Sequence, residues 1–339
     1  MYSARLTDVL PTNLFDPRQV TRYFWSVNRS MTVLFWAMIA TTALGLIAMS
    51  SDPRSVLNQS NWAKTVKFSS SITLYAAAML WIFSFDALRP RLSRFILTAG
   101  AWLLGFEMVL IIFQGARAVP MHFNNATSFD ATLFTIMGAS ITVFWFVNAL
   151  GVGVLVAQQV PSRAFAWSLR LGLLIALLGM LQGYLMTGPT PEQMAALEAG
   201  QQVDLIGAHT VGAPDGGPGL PLLGWSTTHG DLRIGHFVGL HGLQIIPLLG
   251  LLLMLHREQW LCEGHKLALV WTGALGYLGL AALVTWQALR EQSLIAPDAL
   301  TVGALVALIG TTVVATTIII LHARRTKQSV WTAHDVTAA

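Results

Sequence analysis

An all-α, polytopic α-helical membrane protein with about eight transmembrane helices and a packed Gly/Pro-rich extracytoplasmic loop is the fold this sequence predicts, on three observations. Of 339 residues, 54% are hydrophobic and only 11% charged, whereas soluble domains carry about a quarter charged residues. Eight apolar runs are each long enough, at 1.5 Å rise per residue, to cross a hydrocarbon core about 30 Å thick. Only one polar stretch exceeds about 40 residues, and it separates the fifth run from the sixth. The length alone would allow two soluble domains, but the apolar runs fill most of the chain and leave room for one membrane domain. The net charge of +4 forms no single basic face, because Lys and Arg flank the apolar runs. No nucleic-acid partner is expected.

In chain order the spans are expected near 31–50, 67–86, 95–115, 130–157, 165–187, 234–255, 267–288 and 300–322. The thirty residues before the first span carry Arg5, Arg18, Arg22 and Arg29 without an apolar h-region, so that span reads as an uncleaved anchor. Residues 1–30 are then a cytoplasmic N-terminal segment, 31–322 the membrane domain and 323–339 a cytoplasmic tail. Eight spans put both termini on one side. Of the 20 Lys and Arg residues, Arg54, Lys64, Lys67, Arg117, Arg233 and Arg290 fall on the opposite side and Arg170 lies within a span. The remaining thirteen, Arg257 among them, share the side of the termini. The positive-inside bias makes that side the cytoplasm of a bacterial inner (plasma) membrane, with the lipid bilayer as first partner and the 188–233 loop outside. The single cysteine, Cys262, falls in a cytoplasmic loop, where it stays reduced, and excludes an intrachain disulfide or CxxC chemistry.

Trp25, Trp62, Trp167, Trp225, Trp260 and Trp286 stand at span ends, as interfacial anchors do. Gly172 with Gly179, and Gly235 with Gly239 and Gly242, allow close helix packing. The stretch from Gly207 to Gly230 mixes Gly and Pro with Leu220, Leu222, Leu223 and Trp225. It is expected to lack regular structure and to pack as a lid on the outer ends of the third and sixth spans. A short helix is expected to start near Thr190, and Ser128 to cap the fourth span.

Ionisable groups inside spans are costly and so mark candidate sites. Arg170 sits near a span end and can snorkel. Glu107 lies about 12 Å below the outer surface by helix rise, too deep for a short side chain to escape. His241 is at nearly the same depth, roughly 10 Å, so a Glu107–His241 contact is expected to be within reach. His236 and His241, five apart on one helix, point about 140° apart and do not chelate one ion as an i,i+4 pair would. Lys64 and Lys67 share a helical face, with attraction to lipid phosphate as their ordinary role. Glu107, His241 and Arg117 are the candidate catalytic groups, and His122 and His236 the candidate cofactor ligands. By ligand type, His122, His209, His236, His241, Asp215 and Asp231 suit Zn, Cu or Fe, or a peripheral haem between His122 and His236. The glycine run lacks the phosphate-loop spacing, and HExxH and GxSxG are absent.

The segments Asn61 to Lys67, Arg117 to Asp130, and His209 through Gly217 to His241 resemble those of a group of uncharacterised bacterial multi-pass membrane proteins, a likeness that covers most of the spans and carries no activity with it. The His236-Phe237 pair invites comparison with the metal helix of haem-copper oxidases, but Val238 stands where that motif has its second histidine, and the assignment is rejected. Three function classes follow: a metal or haem protein with a redox or hydrolytic outer-face site, a proton-coupled permease using Glu107 and His241, and a binding or assembly protein whose loops dock a periplasmic or lipid partner; a periplasmic or small-molecule ligand at the outer face is the further partner expected. The sequence specifies an architecture and the place of a polar site. It specifies no reaction.

Overall fold

The computed structural model describes the backbone of residues 16–337 except 87, 159, 161 and 257–259, with side chains to Thr326. Arg5 and Arg257, which the charge count used, lie outside the described residues, as does the expected first half of the N-terminal segment. Helices α1 (Pro17–Val27), α2 (Arg29–Ser51), α3 (Ala63–Phe83), α4 (Pro90–Arg117), α5 (Ser128–Ala157), α6 (Arg163–Gln182), α7 (Pro191–Glu198), α8 (Leu232–Leu255), α9 (Glu263–Leu289) and α10 (Ala299–Thr337) succeed one another. Eight of them, α2 to α6 and α8 to α10, are long and apolar enough to cross a membrane. The chain is therefore a multi-pass, all-α membrane protein. Both ends of the span series lie on one face, here the terminal face, and the 187–231 segment covers the other, the site face.

Local chemistry sets the element ends. Asn28 caps α2 by accepting from the Met31 amide at 2.9 Å, and its own amide group donates to Thr98 Oγ1 at 2.9 Å, tying α2 to α4. At α5 the cap is Thr127, whose hydroxyl accepts from the Asp130 amide; Ser128, the expected cap, is the first helical residue. Thr190 caps α7 in a reciprocal capping box with Gln193, as its Thr-x-x-Gln spacing favours. Arg170 does not snorkel free: Nε and Nη2 donate to the carbonyls of Leu155 and Val156 at 2.9 and 3.0 Å, satisfying the last turn of α5.

The main core joins α2 to α6 through Met31, Met79, Leu80, Ile111, Leu155 and Phe165, and a second core joins α6, α8 and α9 through Leu171, Ile175, Ile246, Val270 and Ala274. The helices α6 and α8 approach most closely where Gly179 faces Gly239. A Cβ added at Gly179 would stand 2.5 Å from the Gly239 carbonyl carbon, so neither position admits a side chain without parting the helices. At the far edge α10 packs on α9 and leaves Leu300, Val306, Val313 and Ile318 exposed, an apolar surface suited to lipid.

On the site face the chain folds back as expected of a lid, and also forms two small antiparallel ladders, β1 (Ser55–Val56) with β2 (Gln59–Ser60) and β3 (Thr210–Val211) with β4 (Gly230–Asp231). The second ladder lies in the stretch expected to have no regular structure; its two-residue strands fit between the Gly and Pro positions. The lid is fixed at both rims. Lys67 donates to the Leu223 carbonyl at 3.0 Å, Arg233 to the Gly224 carbonyl at 2.6 Å, and Ser293 to the Ser226 carbonyl at 3.1 Å. Its anchors are thus the entry of α3, the head of α8 and the segment after α9, not the end of α4. The α4–α5 connection instead pairs with residues 204–206, where the Asn125 amide donates to Asp204 and the Ile206 amide to Phe123.

Candidate functional site

Beneath the lid lies a cavity of about 100 Å³, lined by side chains that are far apart in sequence, among them Gln59, Lys64, Lys67, His122, His209, Asp215, His229 and Arg233. Such a volume accommodates several waters or a small ligand group. The floor is the first turn of α3. That helix begins at Trp62 without a side-chain cap, and the positive end of its dipole lies on this side.

Lys64 and Lys67, three apart, both face this space. Lys67 is held by neutral acceptors, Gln59 Oε1 at 2.9 Å and the Leu223 carbonyl. Lys64, half-buried, has no hydrogen-bond or ion-pair partner among the described residues; the charged groups it faces are Arg233, Lys67 and Asp215. Arg233 is balanced: its guanidinium grips both carboxylate oxygens of the fully buried Asp231 at 2.9 and 2.5 Å. Asp231 also accepts from the Ser226 amide at 2.8 Å, which pins the lid to α8.

The opposite wall is His209 with Asp215. The carboxylate accepts the His209 and Thr210 amides at 3.0 and 2.8 Å and the His209 ring Nδ1–H at 2.5 Å. Nδ1 is therefore the protonated nitrogen and Nε2 carries the free lone pair. Burial outweighs the hydrogen bond from Asp215 and, with Lys64 and Arg233 nearby, pushes His209 down to about 4. The imidazole is thus neutral near pH 7, and the contact is a hydrogen bond rather than an ion pair. Although burial alone would raise it, Asp215 is held below the usual carboxylate range by the His209 ring and the two amides. His122 sits among Phe68, Phe123 and Phe134, ring centroids 5.7 to 6.3 Å away. Burial there, with Lys64, His209 and His236 adding to it, holds its pKa well below the ordinary value.

The other expected site residues are employed elsewhere. His236 lies within electrostatic reach of His122, but its Nδ1–H donates to the Gly179 carbonyl at 2.7 Å and crosslinks α8 to α6. His241 donates to Gln244 Oε1 at 3.3 Å. Glu107 is 2% exposed, with Oε2 lacking a hydrogen-bond partner. The expected Glu107–His241 contact is not made, since depth along two helices does not fix which way either side chain points. Arg117 does not line the cavity; it bonds Gln114 and Asp130, both at 2.5 Å, between the rings of Phe113 and Phe129. Trp62 is more than an interfacial anchor, for its Nε1–H donates to Asp52 at 2.9 Å.

Among the described residues no three His, Cys, Asp or Glu side chains form a metal-ligand group. The donor set does not suit a cation either, because Lys64, Lys67 and Arg233 face the same space and the lone pairs of Asp215 are taken. Lys64, Lys67 and Arg233 are the cavity residues that sequence reasoning assigned no site role. Two lysines three apart in the opening turn of a span, facing a loop with its own histidines and carboxylates, were the available signal. Comparison with protein-family models, curated proteins and solved structures finds no match to this chain.

Proposed function

We propose that this multi-pass membrane protein binds a small anionic group, a phosphate, sulfate or carboxylate, in the lidded cavity on its site face. The observation that carries the reading is the Lys64 ammonium, which faces Asp215 without bonding it, beside Lys67 at the uncapped start of α3. With Arg233 neutralised by Asp231, a half-buried cation without a bonded counter-ion is unfavourable in the empty site. An anion offsets it, and the positive end of the α3 dipole adds to the attraction. The anion is either free in solution or the headgroup of a lipid; both present the same oxygens. The test is thermal unfolding of the detergent-purified protein with millimolar sulfate, phosphate or acetate against chloride at equal ionic strength. A ligand at a hundred times its Kd adds about 2.7 kcal/mol. An unchanged unfolding temperature with all three rules the reading out.

The metal or haem reading has weaker support, the number of imidazoles alone, and the permease reading has Glu107 and His241 on separate helices with no hydrogen bond between them. An assembly role has no specific residue behind it. For orientation, the excess of Lys and Arg on the terminal face supports cytoplasmic termini in a bacterial inner membrane, the site facing outward. Alkaline phosphatase fused after Ala339 should then be inactive, and an active fusion reverses the orientation.

A further inference from the structure

Resting on the anion reading above, we infer that the cavity takes up a proton together with its anion, and that His209 is the group that accepts it. The ligand class is then an anion whose charge exceeds what Lys64 alone offsets, such as sulfate or a phosphomonoester, bound with one proton from solution.

The inference stands on the arrangement of charge around one imidazole. His209 faces Asp215 from its own loop, Lys64 from α3, Arg233 from the head of α8 and His122 from the α4–α5 connection, and its ring lies 4.8 Å from that of Phe123. Asp215 holds Nδ1–H, so a second proton can enter only at Nε2. In the empty cavity that proton would join the unpartnered Lys64 and the nearby Arg233, with burial acting against it as well. A doubly charged anion reverses the local sign: it offsets Lys64 and gives an Nε2–H donor an acceptor. The imidazolium then bridges two acceptors, Asp215 through Nδ1 and the anion through Nε2, the arrangement in which a buried histidine cation is best satisfied.

The other imidazoles are less fit for the task. His122 is enclosed by phenylalanine rings, and no carboxylate among the described residues hydrogen-bonds it. His236 has given Nδ1–H to a helix carbonyl. His229, partly exposed, bonds the Thr228 hydroxyl at 3.0 Å.

The sign of the coupling follows from linkage. In the anion-free protein His209 is protonated only below about 4; in the complex its proton affinity is higher. Between those two values the complex holds more protons than the free protein, so anion affinity rises as pH falls, by up to about tenfold per unit. Below about 4 the affinity is flat, because both states are already protonated.

Titration calorimetry of the full-length protein with sulfate, which does not itself titrate near neutral pH, tests this in two buffers of different ionisation heat. The expected result is net proton uptake on binding between pH 4 and 6, a range in which Lys64 and Lys67 are already charged and gain none. It should be lost in His209→Gln, which binds sulfate more weakly through Lys64 for want of that donor, and kept in His122→Gln. Uptake that persists in His209→Gln between pH 4.5 and 6, or sulfate binding without uptake in that range, overturns the inference. Should His209→Gln fail to fold, the wild-type pH dependence decides alone. Sulfate that does not bind at any pH is a different failure: it removes the anion reading itself and this inference with it. Repeating the titration at pH 8 with hexyl phosphate below its micellar concentration against inorganic phosphate, both mainly dianions there with second pKa values of about 6 to 7, distinguishes the sources. Much tighter binding than inorganic phosphate indicates a headgroup with its tail, equal binding a free anion.

Discussion

Two polar clusters lie close together on the site face and differ in one respect. In the clamp between α4 and α5, Asp130 accepts from Arg117, Gln114 and the Thr127 hydroxyl, and Arg117 also bonds Gln114 between two phenylalanine rings. Each charge there has its opposite. In the cavity Lys64 bonds none, since Asp215, the carboxylate it faces, is held by His209 and Thr210, and α3 has no side-chain cap. A satisfied cluster fixes two helices and has little left to offer a ligand. An unsatisfied one is tolerated at some cost in stability and is a place where a ligand gains. By the residue types in the sequence the two regions are alike, and Arg117 was a candidate catalytic group on that basis. Satisfaction of charge, not residue type, separates them.

Breaking the clamp should have the largest effect. Asp130→Ala strands Arg117, which is one-third exposed and can partly reach solvent, so a loss of about 2–3 kcal/mol is expected, below the full figure for a buried pair. Thermal unfolding measures it, and the sulfate response of the variant should persist. A variant as stable as the parent would mean that the clamp is not structural. Lys64→Met should do the opposite. Removing an unpaired, half-buried cation is expected to raise anion-free stability by about 1 kcal/mol, while sulfate affinity falls at least tenfold. Lower stability in the absence of anion, or an unaltered sulfate response, would erase the distinction between the two clusters.

The sites differ also in how far they could be read in advance. The clamp is made of residues within 16 positions of one another, an arrangement that the α4–α5 turn brings together locally. The cavity joins α3 to the lid across more than 150 positions, as in the Lys67–Leu223 and Asn58–Gly216 bonds. His122, His209 and Asp215 were legible as polar residues at loop ends. Lys64 and Lys67 read as lipid-facing, because nothing near them in sequence announces that the lid returns over the start of α3. His241 and Glu107 were placed at similar depth, but direction around a helix is set by packing, and they do not meet.

The set of spans, their order and the existence of a packed loop are legible in the residues alone. Hydrocarbon thickness and helix rise convert a run of apolar residues into a span with no reference to neighbours, and Gly and Pro among leucines restrict a loop locally. Tertiary structure alone decided which ionisable groups face one another and which of them remain uncompensated. That outcome depends on the close approach of α6 to α8 at Gly179 and Gly239, on the lid's return over the opening turn of α3, and on the rotation of each helix about its axis. These are long-range consequences of packing, and electrostatic compensation is a property of the distances they set.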